Sequence, residues 1–104
     1  MENKFEFVML LDVYGDLLTE KQYFVLDKYY NEDYSLAEIA ENLNISRQGV
    51  HDIIRKCRVS LREYEDKIGY ISKMNEIKKG LSNLKDSVSD EKVIDDIDNL
   101  INNI

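Results

Sequence analysis

The chain has 104 residues, 43% of them hydrophobic, and a net charge of −7. That apolar share excludes a disordered chain, the length allows one compact domain plus an extension, and the acidic balance excludes an indiscriminate nucleic-acid coat. No run of about 18 apolar residues exists to cross a membrane, and the N-terminus lacks the pattern of a signal peptide. Proline is absent and glycine occurs four times, so the punctuation that strands need is scarce and the expected fold class is all-α. The single cysteine, Cys57, allows no intrachain disulfide and fits a reducing, cytoplasmic setting.

The first helix is expected over Lys4 to Tyr14. Phe5, Val8, Met9 and Val13 outline one face, and Phe7, Leu10, Leu11 and Tyr14 widen it. Gly15 suits the left-handed residue that ends a helix. Thr19 and Gln22 have capping-box spacing, Leu18 and Tyr23 are placed for a hydrophobic staple, and a second helix follows to about Tyr30. Its expected inner residues are Tyr23, Leu26, Tyr29 and Tyr30. After the polar connection Asn31 to Tyr34, Ser35 and Glu38 form a second capping box. A short helix then carries Leu36, Ile39, Ala40 and Leu43 at helical spacing.

Residues 35 to 56 have the pattern of a helix-turn-helix. Two short helices that cross steeply need a small residue at the contact, supplied by Ala40. The turn needs a residue tolerant of positive φ, supplied by Asn44. Leu43 and Ile45 anchor the turn, Ser46 caps the next helix, and Val50, Ile53, Ile54, Cys57 and Leu61 face inward. The period runs on to Tyr64 and Ile68, so this helix is expected to be long. Beyond Gly69, Ile77, Leu81, Leu84 and Val88 form a seam like a coiled-coil edge. Ile94, Ile97, Leu100, Ile101 and Ile104 form a last stripe. The expected organisation is a helix-turn-helix domain over residues 1–67 and a helical C-terminal extension over 68–104. The extension's stripes either fold back on the chain's own core or serve as a dimerisation arm, giving a homodimer, and the second reading is preferred.

Residues 1–34 carry three basic and eight acidic side chains, whereas residues 35–67 carry six of each. Arg47, Arg55, Lys56 and Arg58 lie within twelve residues, so any polyanion contact is expected there. With Val50 and Ile53 inward, Arg47, Gln48, His51, Asp52 and Arg55 point outward. In a DNA reader the start of this helix enters the major groove, where Arg47 suits guanine and Gln48 adenine. Arg55, Lys56 and Arg58 are better placed for phosphates. A solvated or protein-binding face on which Asp52 and Arg55 pair is read ahead of base readout, because the basic count is low for unaided affinity. Gly49 weakens a helix by about 1 kcal/mol relative to alanine; it is read as tolerated there, ahead of a close approach by a partner. His51 is the only histidine, so no metal or cofactor is expected and no catalytic set can be assembled around it. Cys57 reads as a small core residue, and the early tyrosines read as core and rim ahead of base-stacking platforms.

Four segments in this order resemble the YlxM family: Leu17-Leu18-Thr19-Glu20-Lys21-Gln22, Tyr29-Tyr30-Asn31-Glu32-Asp33, Ser35-Leu36-Ala37-Glu38-Ile39-Ala40, and Ile45-Ser46-Arg47-Gln48-Gly49-Val50-His51-Asp52. The resemblance covers roughly residues 3 to 75, and Gly49 and Asn44 stand where alanine and glycine are usual. It implies a fold related to region four of bacterial sigma factors and a non-enzymatic accessory role beside the signal recognition particle, with that particle's GTPase and/or its RNA as partners. A sequence-specific DNA-binding regulator is the alternative.

Overall fold

The computed structural model describes residues 3–104, and among them all regular structure is helical. The order is α1 (Lys4–Tyr14), α2 (Glu20–Tyr30), α3 (Leu36–Leu43), α4 (Arg47–Ile68), α5 (Tyr70–Asp86) and α6 (Glu91–Asn102), with a 3-10 turn, Gly15–Leu17, after α1. No described helix is long and apolar enough to cross a membrane. The chain divides between Ile68 and Gly69 into two compact units.

Each helix of the first unit starts where a polar side chain satisfies the amides that a helix leaves unpaired. Asn3 accepts from the amides of Phe5 and Glu6. Thr19 and Gln22 form the reciprocal capping box of α2, with bonds of 3.0 and 3.1 Å. Ser35 and Glu38 repeat it for α3 at the same distances. α1, α2 and α3 all pack on α4. The stripe Val50, Ile54, Cys57 and Leu61 of α4 is buried, and so are Phe7, Leu10, Leu11 and Tyr14 of α1, Val25, Leu26 and Tyr30 of α2, and Ile39 and Ala40 of α3. Fully burying one of the large aliphatic or aromatic side chains contributes about 1.5–3 kcal/mol, so this set dominates the stability of the unit.

Three expectations are corrected. On α1 the inward face is the one that carries Phe7, while Phe5 is 83% exposed and Met9 is also exposed. The reason is tertiary. Phe7 stacks on Tyr30 at 5.7 Å, and its ring also receives the guanidinium of Arg62 at 4.8 Å, contacts that Phe5 does not make. On α2, Tyr23 turns outward at 41% exposure, and Val25 takes a buried place in its stead. Gly15 is right-handed, with φ −56°, so it is not a left-handed cap. It is needed for space instead: a Cβ there would lie 2.8 Å from the Tyr23 ring. Tyr23 therefore rests over bare backbone at the 3-10 turn.

In the second unit α5 and α6 pack against each other. Gly69, at φ +69°, precedes α5, and Asp90 caps α6 by accepting from the amides of Lys92 and Val93. Lys85 of α5 pairs with Asp98 of α6 at 2.7 Å. Of the expected seam, Leu81 and Val88 are half-buried while Ile77 and Leu84 are exposed, and the half-buried line on α5 is Ile71, Met74, Lys78, Leu81 and Lys85. The aliphatic stems of Lys78 and Lys85 serve in that line, a use of lysine that apolar periodicity does not register. On α6, Ile97 is buried and Ile94 and Ile101 are half-buried, while Leu100 is 55% exposed.

Candidate nucleic-acid interface

The turn between α3 and α4 is built as the motif requires. Asn44 adopts the left-handed conformation, φ 55° and ψ 44°, and its amide donates to the carbonyls of Ala40 and Glu41. The Ile45 amide donates to the Ala40 carbonyl at 3.1 Å, so the end of α3 is closed by backbone bonds. Ala40 is buried, and α3 and α4 pack together. At the start of α4, Ser46 Oγ accepts from the Gly49 amide at 2.9 Å, the geometry of an N-cap. The α position of Gly49 faces this turn: a Cβ there would lie 3.2 Å from Ser46 Oγ and 3.7 Å from Ile45 Cδ1. Gly49 thus eases the turn's own packing. At the other end of the motif, the Ser35 backbone amide, which contributes most, and the Ser35 hydroxyl hold the Glu38 carboxyl below its ordinary value.

The pinned and free faces of α4 separate cleanly. Val50 and Ile54 are buried and Ile53 is half-buried. Arg47, Gln48, His51, Arg55 and Lys56 are exposed. Asp52 gathers three of these five. Its Oδ1 accepts from Gln48 Nε2 at 3.1 Å, lies 3.7 Å from Arg55 Nη2, and is 4.0 Å from His51 Nδ1. The expected Asp52–Arg55 pair is therefore present, within a larger cluster that residue-by-residue reading missed. The signal was available, because Gln48 and Asp52 are one helical turn apart. Among the described residues, the side chains of Arg47 and Lys56 make no ion pair or hydrogen bond. Cys57, expected in the core, is buried there, and that burial pushes its thiol upward and away from the reactive thiolate.

Arg58 is positioned differently from the other five. It is half-buried, its Nε donates to the Tyr30 hydroxyl at 2.7 Å, and its guanidinium lies 5.7 Å from the centre of the Phe7 ring. With Arg62, whose Nε donates to Glu6 Oε1 at 3.2 Å, it covers Phe7. This internal engagement sets Arg58 apart from the five exposed side chains. Nothing local in the sequence signals it, since Tyr30 is 28 residues away. No three described His, Cys, Asp or Glu side chains are grouped so as to hold a metal ion.

A short helix, a left-handed asparagine turn and a longer helix pinned on one face and open on the other define a helix-turn-helix protein. The chain belongs to the YlxM / p13-like helix-turn-helix family, whose profile matches residues 1–101. It is 49% identical to a UPF0122 protein of Clostridium kluyveri, over 99% of this chain and 98% of the relative. It is 44% identical to a UPF0122 protein of Acetivibrio thermocellus, over 100% and 97%. To a UPF0122 protein of Clostridium botulinum it is 41% identical, over 97% and 93%.

Proposed function

We propose that the protein is a non-enzymatic, cytoplasmic nucleic-acid-binding accessory factor that meets its target through the first turns of α4, in the manner of sigma region four. Arg47, Arg55 and Lys56 supply the phosphate contacts, and Gln48 and His51 lie at the base edges. The observation that carries this reading is that Arg47 and Lys56 are exposed and unpaired on a helix whose opposite face is locked into the core. The target proposed is the RNA of the signal recognition particle, met alongside its GTPase. What the resemblance to the YlxM family implies and the single basic edge on an acidic body support it. Three cationic contacts predict a modest, salt-sensitive affinity, with a slope of log K against log salt of about −2 for single strands and about −3 for duplex DNA.

The test is a titration of the full chain with that RNA, an unrelated RNA of equal length and a random DNA duplex, with and without the purified GTPase, across a salt series. Preferential binding to the particle's RNA, lost in an Arg47→Ala/Lys56→Ala variant, is expected. Absence of binding to both RNA and GTPase at low salt overturns the proposal. The adjacent Arg47 and Gln48 favour one alternative, a DNA-reading regulator. For that reading Arg47→Ala must relax preference at one base position while binding persists.

For the second unit we propose self-association. Ile77 and Leu84 on α5 and Val93 and Leu100 on α6 are exposed apolar residues that a second copy can cover. Light scattering of the full chain and of Leu84→Lys/Leu100→Lys tests it. A dimer that becomes a monomer is expected, and a wild-type monomer overturns it.

A further inference from the structure

We propose that the groove between the Gly15–Leu17 turn and α2 docks a basic, aliphatic segment of a partner protein, with one arginine or lysine side chain laid along its aromatic wall. The groove has a volume of about 440 Å³. Leu18, Tyr23 and Phe24 supply its apolar surface, and Asp16, Glu20 and Asp27 stand around it. Tyr23 is held there by the absence of a side chain at Gly15, which lets its ring sit against the turn. A large aromatic kept 41% exposed by such an arrangement is a surface left for contact.

The charges indicate what fits. Among the described residues Asp16 and Glu20 have no cationic partner, and the Asp27 carboxylate accepts a hydrogen bond only from the side-chain amide of Asn31, at 2.8 Å. Lys28 also lines the groove, but its ammonium is bound to Glu32 at 2.6 Å. Phosphate is repelled from this rim, whereas a guanidinium or ammonium finds both carboxylates and ring faces. The first unit already receives two of its own lysines in this way, one in this groove and one in a separate hollow. Lys28 Nζ lies 5.4 Å from the centre of the Phe24 ring and 5.2 Å from that of Tyr34. Lys4 Nζ meets Asp33 at 2.6 Å in a hollow that Tyr29, Tyr30 and Tyr34 line. The aliphatic stem of an incoming arginine or lysine would cover Leu18, and the surplus of acid over residues 1–34 would draw a basic partner toward this face. No residue of α4 takes part, so the groove and the nucleic-acid edge are separable.

The experiment uses the isotopically labelled full chain and three peptides of equal length: one of arginine and leucine in amphipathic register, one of the same charge without leucine, and one acidic. Amide perturbations from the first peptide are expected to centre on residues 15 to 28. Asp16→Asn/Glu20→Gln/Asp27→Asn should weaken its binding about tenfold with an unchanged melting curve, and Tyr23→Ser should weaken it likewise. Arg47→Ala/Lys56→Ala should leave it unchanged, even if those substitutions abolish RNA binding. Equal binding of the leucine-free peptide overturns the proposal, because net charge then suffices. So do perturbations centred on α4, α5 or α6. Concentration-dependent self-association of the protein that the triple variant abolishes also overturns it, and assigns the groove to a second copy.

Discussion

Asp52 Oδ1 lies 3.7 Å from Arg55 Nη2 and accepts from Gln48 Nε2 at 3.1 Å, so one carboxylate restrains two of the side chains proposed to meet a nucleic acid. A phosphate backbone approaching α4 has to compete with it. Asp52→Asn keeps the shape and a polar side chain and removes the charge. Affinity for the target is expected to rise roughly two- to fivefold at low salt, the scale of one exposed charge interaction. The gain should shrink at high salt. A titration at two salt concentrations checks it; weaker binding would mean that Asp52 positions its neighbours for contact and does not compete with the target.

Arg58 should behave as a stability residue. It donates to the Tyr30 hydroxyl and covers the Phe7 ring, and a hydrogen bond made by a charged group contributes about 1.5–3 kcal/mol. Arg58→Ala is expected to lower the denaturant midpoint accordingly. Its salt slope for RNA should match that of wild type, whereas Lys56→Ala should reduce the slope by about one contact.

Two glycines should respond in opposite directions. Gly15→Ala places a methyl 2.8 Å from the Tyr23 ring, so that ring must move. A loss of about 1–3 kcal/mol is expected, as for overpacking elsewhere. Gly80 lies inside α5 with nothing within 4 Å of its absent Cβ. Gly80→Ala should stabilise the second unit by about 0.8–1 kcal/mol. Chemical denaturation of both variants checks the pair.

The α3 cap makes an acid-side prediction. Glu38 titrates below its ordinary value because the Ser35 amide and hydroxyl favour the charged form. Its contribution to stability is therefore complete above the ordinary carboxylate value. It is lost as pH falls through the lower, folded value. Ser35→Ala should cost about 0.5–2 kcal/mol through the lost cap. It should also return the Glu38 titration, followed by carbon-detected NMR, toward the ordinary range. An unmoved titration would show that the hydroxyl contributes little to holding the carboxylate.

Much of the motif is legible because its determinants are local. A capping box needs residues three apart, a left-handed turn needs an asparagine or glycine in one place, and a buried stripe declares itself by period. Thr19 with Gln22, Ser35 with Glu38, Asn44, and Val50 with Ile54 and Leu61 are of this kind. Arg47, Gln48, His51, Arg55 and Lys56 then follow as the outward face, since positions not in the stripe must point away from it.

The amino-acid sequence by itself determined where the helices begin and end, the turn at Asn44 and the open face of α4, because those depend on neighbours within one or two helical turns. Tertiary structure alone decided that Phe7 and not Phe5 enters the core, that Arg58 bonds to the Tyr30 hydroxyl, that Gly15 makes room for Tyr23, and that Lys78 and Lys85 enter the half-buried α5 line beside the exposed Ile77 and Leu84. Each of these is a choice between side chains of similar local standing. Which one wins depends on the surface presented by a helix distant in sequence, and the chain meets that surface only on folding.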